Sequence, residues 1–144
     1  ETREGIIDSY VHGNRIGVVV EVTCATEFVA RLPESKEFAH QIAMQIAAMS
    51  PVYSTMEDIP GDVMEAKKKE LLESDDLKKK PENMREQIVE GQLKKHFAEQ
   101  VLSEQAYIFD DSKTVGDHIK EQIAKSGENI RVAQFKRIEL GVTE

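Results

Sequence analysis

Two β-prone runs open the chain, Gly5 to His12 and Arg15 to Thr23, with Gly13-Asn14 between them. In the second run Ile16, Val18, Val20 and Val22 alternate with Arg15, Gly17, Val19, Glu21 and Thr23. This period of two predicts a strand that buries the first set and turns the second largely outward. Glycine at the first central position predicts a two-residue type II′ hairpin turn, which places His12 opposite Arg15. After Pro33 the period lengthens. Phe38, Ile42, Ile46 and Met49 fall on one helical stripe, and Ala39, Ala43 and Ala47 widen it. Small alanines beside large residues suit a helix lying close on a sheet, and Ser50-Pro51 stops it.

Further helices are predicted at Asp62 to Glu73 and at about Pro81 to Val101, with a charged break from Asp75 to Pro81. On the second of these, Met84, Ile88, Val89, Leu93, Phe97 and Val101 share a face. Nine basic and ten acidic residues between Asp62 and Glu99 are interspersed, as on a solvated helical hairpin. A turn at Asp110-Asp111-Ser112 precedes a short helix around Val115, Ile119 and Ile123, which Gly127 terminates. Ile130 to Leu140 reads as a last strand. The order predicts an α+β fold: a three-stranded antiparallel sheet, made of the N-terminal hairpin and the C-terminal strand, packed with helices and with a helical hairpin at about 62–99.

With 40% hydrophobic and 32% charged residues, the 144-residue chain has material for one core and a well-solvated surface. The formal net charge of −8 argues against direct nucleic-acid binding and against an anionic membrane surface. Ile42 to Met49, the longest apolar-rich stretch, is too short to span a bilayer. A single cysteine excludes an internal disulfide. Without a signal peptide, and starting on Glu, the chain reads as a mature fragment or as one module of something longer.

Chemistry is sparse. Neither glycine-rich nucleotide loop is present, no two of His12, His40, His96 and His118 have metal-pair spacing, and Cys24 has no C-x-x-C mate. No cofactor, metal or catalytic residue is therefore expected. A Cys24–His12 nucleophile pair fails on register, because the hairpin separates the two by roughly 30 Å. A hydrolase using Cys24 with another histidine has no spacing behind it. The unusual segment is Thr26-Glu27-Phe28-Val29-Ala30-Arg31, which follows the best strand and carries an aromatic beside a carboxylate. Two readings stay open: Phe28 folds back as a core plug, or it probes a partner's pocket from a short connection.

At this segment the chain resembles bacterial and organellar translation elongation factor Ts. Tyr10-Val11-His12-Gly13-Asn14-Arg15-Ile16-Gly17-Val18 is similar to the family's Y-x-H-x-x-R-[IV]-G-V hairpin, and Thr26-Glu27-Phe28-Val29-Ala30-Arg31 to its T-D-F-V-A-[RK]. Ile42-Ala43-Met44-Gln45-Ile46-Ala47-Ala48 resembles A-M-H-[IV]-A-A, and Val89-Glu90-Gly91-Gln92-Leu93-Lys94-Lys95 resembles V-E-G-R-[LM]-K-K. Gly127-Glu128-Asn129-Ile130 matches G-E-N-I before the last strand.

The resemblance implies a guanine-nucleotide exchange factor for elongation factor Tu, rather than an enzyme. It would bind that GTPase, displace its Mg²⁺ and promote GDP release so that GTP can bind. Carried over by position, Phe28 is the wedge, Glu27 its acidic neighbour, and Thr26 and Val29 frame them; Met44 and Gln45 are further partner contacts. The chain departs from the family at four places: Glu27 for Asp, Ala25 for Glu, Gln45 for His and Gln92 for Arg. The family's N-terminal helical module is expected to be missing. The alternative is a structural dimerisation or docking module with little exchange activity of its own. The resemblance further implies that the helical hairpin at about 62–99 protrudes and that this region makes dimers, as in short family members; Val19 with its outward neighbours offers a self-complementary patch, unless a helix of the same chain covers it. The expected location is the bacterial cytoplasm or a plastid or mitochondrial interior.

Overall fold

In the computed structural model, which describes residues 2–142, the alternating run becomes β2 (Ile16–Cys24), the centre of a sheet ordered β1–β2–β5. β1 (Glu4–His12) and β5 (Ile130–Glu139) flank it, both antiparallel. Val18, Val20 and Val22 are buried on one face, as their spacing predicts, and Cys24 continues that row.

The hairpin turn differs from expectation. Gly13 and Asn14 both have positive φ, 56° and 59°, which marks type I′ rather than II′. The Arg15 N–H donates to the His12 carbonyl at 3.0 Å, yet His12 lies opposite Ile16. Arg15 is thus an extra residue, and the pairing is shifted by one. Such a shift decides which face of β1 meets the core. Ile6 and Tyr10 turn inward opposite Val22 and Val18, whereas Ile7 and Val11 face out.

Across the inner face of β1 and β2 lies α2 (Pro33–Met49), after the single turn α1 (Glu27–Ala30). Phe38, Ile42 and Ile46 are buried, and fully buried Ala39 and Ala43 let the helix approach the sheet closely. Met49, expected on this stripe, is exposed at the helix end. Ser50 then turns the chain with φ 52°, ahead of Pro51. The Arg137 guanidinium of β5 donates to the Ala47 carbonyl at 3.0 and 3.3 Å, satisfying one of the orphan acceptors of the last turn.

The helical pair builds a core of its own. α3 (Gly61–Leu72) packs on α5 (Glu82–Phe97), with Ile59, Leu77, Val89, Leu93, Phe97 and Val101 buried together. Two expectations are corrected here. The charged stretch after Glu73 contains α4 (Asp75–Lys78), where the Ser74 hydroxyl accepts the Leu77 N–H at 3.3 Å and Leu77 is buried. Four residues are too few for a helical period to show. In addition α5 ends at Phe97, and Val101 reaches the same cluster from a bridge to Tyr53, while Met84 is exposed.

Asp110-Asp111-Ser112 is not a turn. It lies in β4 (Asp110–Thr114), which pairs with β3 (Ala106–Tyr107) around a turn at Ile108-Phe109. Aspartates have low strand preference, so the pairing is decided by surroundings rather than by the segment itself. α6 (Val115–Ser126) follows directly, opened by a capping box between Thr114 and Asp117 and closed by Gly127 at φ 77°.

His118 of α6 stacks on Tyr107, with ring centroids 4.3 Å apart and planes at 17°, and also meets the Phe38 ring. Both its ring nitrogens are buried without a partner. Removal from water holds its pKa below the ordinary 6.5; Lys113 and Lys125 push the same way, against Glu121 and Asp110. The unfolded chain takes up this proton at the ordinary value, so stability contributed above pH 6.5 is lost as pH falls through the depressed folded value. The thermal midpoint should therefore drop between about pH 7 and pH 5, and drop less in His118→Phe, which keeps the stack. Melting curves by circular dichroism check this; parallel profiles for the two proteins would refute the assignment.

Candidate partner-binding site

β2 ends at Cys24, and a two-residue connection, Ala25-Thr26, leads into α1. Thr26 caps that helix: its backbone is extended, and its hydroxyl accepts the Val29 N–H at 3.3 Å. One turn has two faces. Val29 and Ala30 point into the main core and are buried, so α1 is fixed by the same cluster that holds β2 and α2. Glu27 and Phe28 point the other way. Phe28 is 74% exposed, which excludes its reading as a core plug.

Burying a Phe side chain yields about 1.5–3 kcal/mol, and this fold forgoes nearly all of it at Phe28. The aromatic instead stands on a short, well-anchored element, the form that an interface anchor takes before binding. The Glu27 carboxylate beside it pairs with Arg31 at 2.6 Å, both side chains being largely exposed. An exposed pair of this kind contributes little to stability and leaves the carboxylate available.

The anchoring continues on both sides of the turn. The Ser35 hydroxyl donates to the Val29 carbonyl at 2.6 Å. Before the turn, Glu128 accepts the N–H groups of Ala25 and Thr26 at 3.2 and 3.0 Å on one oxygen, and the Thr26 hydroxyl at 2.6 Å on the other. Glu128 belongs to the short link between α6 and β5, 102 residues from Thr26. Its motif is legible in the sequence, but its role is not. The available signal was topological, since antiparallel pairing of β2 with β5 brings Cys24 opposite Ile130 and so joins the two motifs.

Other expected site residues lie elsewhere. Thr26 is the N-cap of α1, and Val29 is buried on the opposite side of that turn from Phe28. Gln45 is fully buried on α2 and cannot meet a partner as an exposed contact. Its amide donates to Gln105 Oε1 and to the Ala106 carbonyl and accepts the Ile108 N–H, so it ties the β3–β4 hairpin to the core. Met44 beside it is half-buried. At the tip of that hairpin Ile108 and Phe109 are exposed, an apolar pair that the sequence did not single out.

Behind α1 lies a cleft of about 410 Å³ with Cys24, Val29, Ala30 and Phe38 among its walls. Burial, and then the charge of Glu128, push the Cys24 thiol above its ordinary 9.0, and the thiol donates to the Thr26 carbonyl at 3.3 Å. A protonated, buried thiol is a poor nucleophile. Register keeps His12 away as well, because Cys24 faces Glu4 at the opposite end of β1. Among the described residues, no group of three or more His, Cys, Asp or Glu side chains is arranged to hold a metal ion. What the turn offers is a surface, with one aromatic and one carboxylate on a fixed frame.

A family model described as Elongation factor TS matches residues 1–142. The chain is 55% identical to elongation factor Ts of Thermotoga petrophila over 141 residues, which cover 97% of this chain and 70% of the relative. The chain belongs to the elongation factor Ts family. Elongation factor Ts of Caldanaerobacter subterraneus is 49% identical over 96% of the chain and 70% of its own length. That of Desulfosudis oleivorans is 46% identical over 98% and 72%. Family membership makes this a translation elongation factor, and the α+β architecture expected for such a chain is the one observed. No helix among the described residues is long and apolar enough to cross a membrane.

Proposed function

We propose that this chain is the part of an exchange factor that engages elongation factor Tu and drives GDP off it, with Phe28 as wedge and Glu27 as its acidic neighbour. The observation carrying this reading is the division of α1, whose buried half locks the turn to the core while its exposed half presents an aromatic and a carboxylate. The action is a coupling of two bindings. GDP–Mg²⁺ and the wedge require different arrangements of one GTPase loop, so each weakens the other by the same factor. Displacing Mg²⁺ removes the charge that neutralises the GDP phosphates, and the nucleotide then leaves faster. The factor works only by binding the nucleotide-free GTPase more tightly than the GDP-bound one. The bacterial relatives support the bacterial cytoplasm as the place of action.

Release of fluorescent GDP from elongation factor Tu, followed with and without this chain, tests the reading. Acceleration supports it. Binding without acceleration would favour a docking module instead. One motive for that alternative has weakened, because the change to Gln45 lies in the interior and removes no exposed contact.

The sheet's outer face supports a homodimer in either case. Ile7, Val11, Val19 and Ile138 stand exposed on it, and no helix of the described chain covers it. Val11 and Ile138 flank Gly17, which presents no side chain, so the patch is flat and apolar at the hairpin end of the sheet. Ile138→Lys should shift the chain to monomer in sedimentation experiments while leaving its circular dichroism unchanged, because the two-fold axis of such a dimer repeats the new charge across the interface. An unaltered sedimentation coefficient would remove this face from consideration.

A further inference from the structure

Resting on the exchange reading above, we propose that Glu128 is the positioning residue of the wedge: its carboxylate fixes the turn that aims Phe28 at the partner. A helix of one turn cannot hold its own direction, since helix nucleation is unfavourable without outside support. Burial of Val29 and Ala30 seats α1 on the core, and the connections at its two ends complete its direction. At the far end Ser35 holds the Val29 carbonyl. At the near end the connection from β2 has only Ala25 and Thr26, and Glu128 takes the N–H of both.

The third bond makes this a relay. The Thr26 hydroxyl donates a hydrogen bond to Glu128 and accepts the Val29 N–H on its own oxygen, so the carboxylate sets the cap, and the cap sets the helix. Hydrogen bonds to an ionised carboxylate are the stronger kind. Glu128 is itself held: its N–H donates to the Ser126 hydroxyl, and Ile130, two residues on, is paired with Cys24. The Glu27–Arg31 pair runs along α1 between exposed side chains and ties the turn to nothing else.

Misplacing a group by about 1 Å can cost on the order of a hundredfold in rate, so loss of this clamp should be visible in exchange. Glu128→Ala should slow GDP release at saturating factor by about tenfold or more, with the half-saturating concentration changed by less than about twofold. Glu128→Gln keeps the length and one accepting oxygen and should lose less. It carries the test if the melting temperature shows that Glu128→Ala is unfolded. The decisive arm is the double variant: with Phe28→Ala already present, Glu128→Ala should add nothing. A merely structural role would add its full loss there, and that result, or parental rates in both Glu128 variants, overturns the proposal. If the intact chain fails to accelerate release at all, the exchange reading fails instead. Amide hydrogen exchange at Ala25, Thr26 and Val29 then decides positioning separately: faster exchange in the Glu128 variants supports the clamp, and unchanged protection refutes it.

Discussion

Phe28→Ala should fold as the parent chain does and lose most, though not all, of its effect on GDP release. Truncating an interface anchor costs about 2 kcal/mol or more, which at ~1.4 kcal/mol per tenfold is roughly a thirtyfold loss of acceleration. The fold should hardly respond, because a residue 74% exposed gives little to the core and exposed substitutions usually stay within about 0.5 kcal/mol. The two halves of the result are separable by measurement: release of fluorescent GDP reports the first, and a thermal melt reports the second. Retained acceleration in a folded variant would place the working contact elsewhere. A large drop in melting temperature would contradict the exposed position itself. Val29→Ala, on the buried side of the same turn, should behave in the opposite sense and act mainly through stability.

Gln45→Leu should be among the most damaging single changes in the interior. Gln45 is fully buried, and its three hydrogen bonds reach Gln105, Ala106 and Ile108. Leucine fills a similar volume and abandons all three partners. The buried Gln105 Oε1 loses the donor it has here, and an unsatisfied buried polar group costs about 1–3 kcal/mol. With the Ala106 carbonyl and the Ile108 N–H losing their partners as well, an overall loss of about 3 kcal/mol in denaturant unfolding is expected. The damage should concentrate at the β3–β4 hairpin, where amide exchange at Tyr107 and Ile108 would rise first. Unfolding at the parental midpoint would show that this amide is not what anchors the hairpin.

These two residues also mark how far the chain could be read unaided. Phe28 stands out by type and neighbourhood, but an aromatic after a strand is equally suited to a core and to an interface. Its direction depended on which face of a four-residue helix the core accepted. Analogy of motif makes Gln45 a partner contact on the surface. Its burial follows from the hairpin above it, and that hairpin was invisible because its second strand begins with two aspartates.

The long periodic elements were legible because their patterns are set by water. β2 alternates, and α2 and α5 repeat at helical spacing, since each buries one face and wets the other. The order of those elements, the antiparallel sheet and the family motifs followed from the residues alone. Only the tertiary structure decided the single-residue shift at Arg15, which face of β1 is inner, and the junction of Glu128 with Thr26. Those features rest on pairings between segments far apart in the chain, and a periodic pattern holds information about its own faces but none about the element that will meet them.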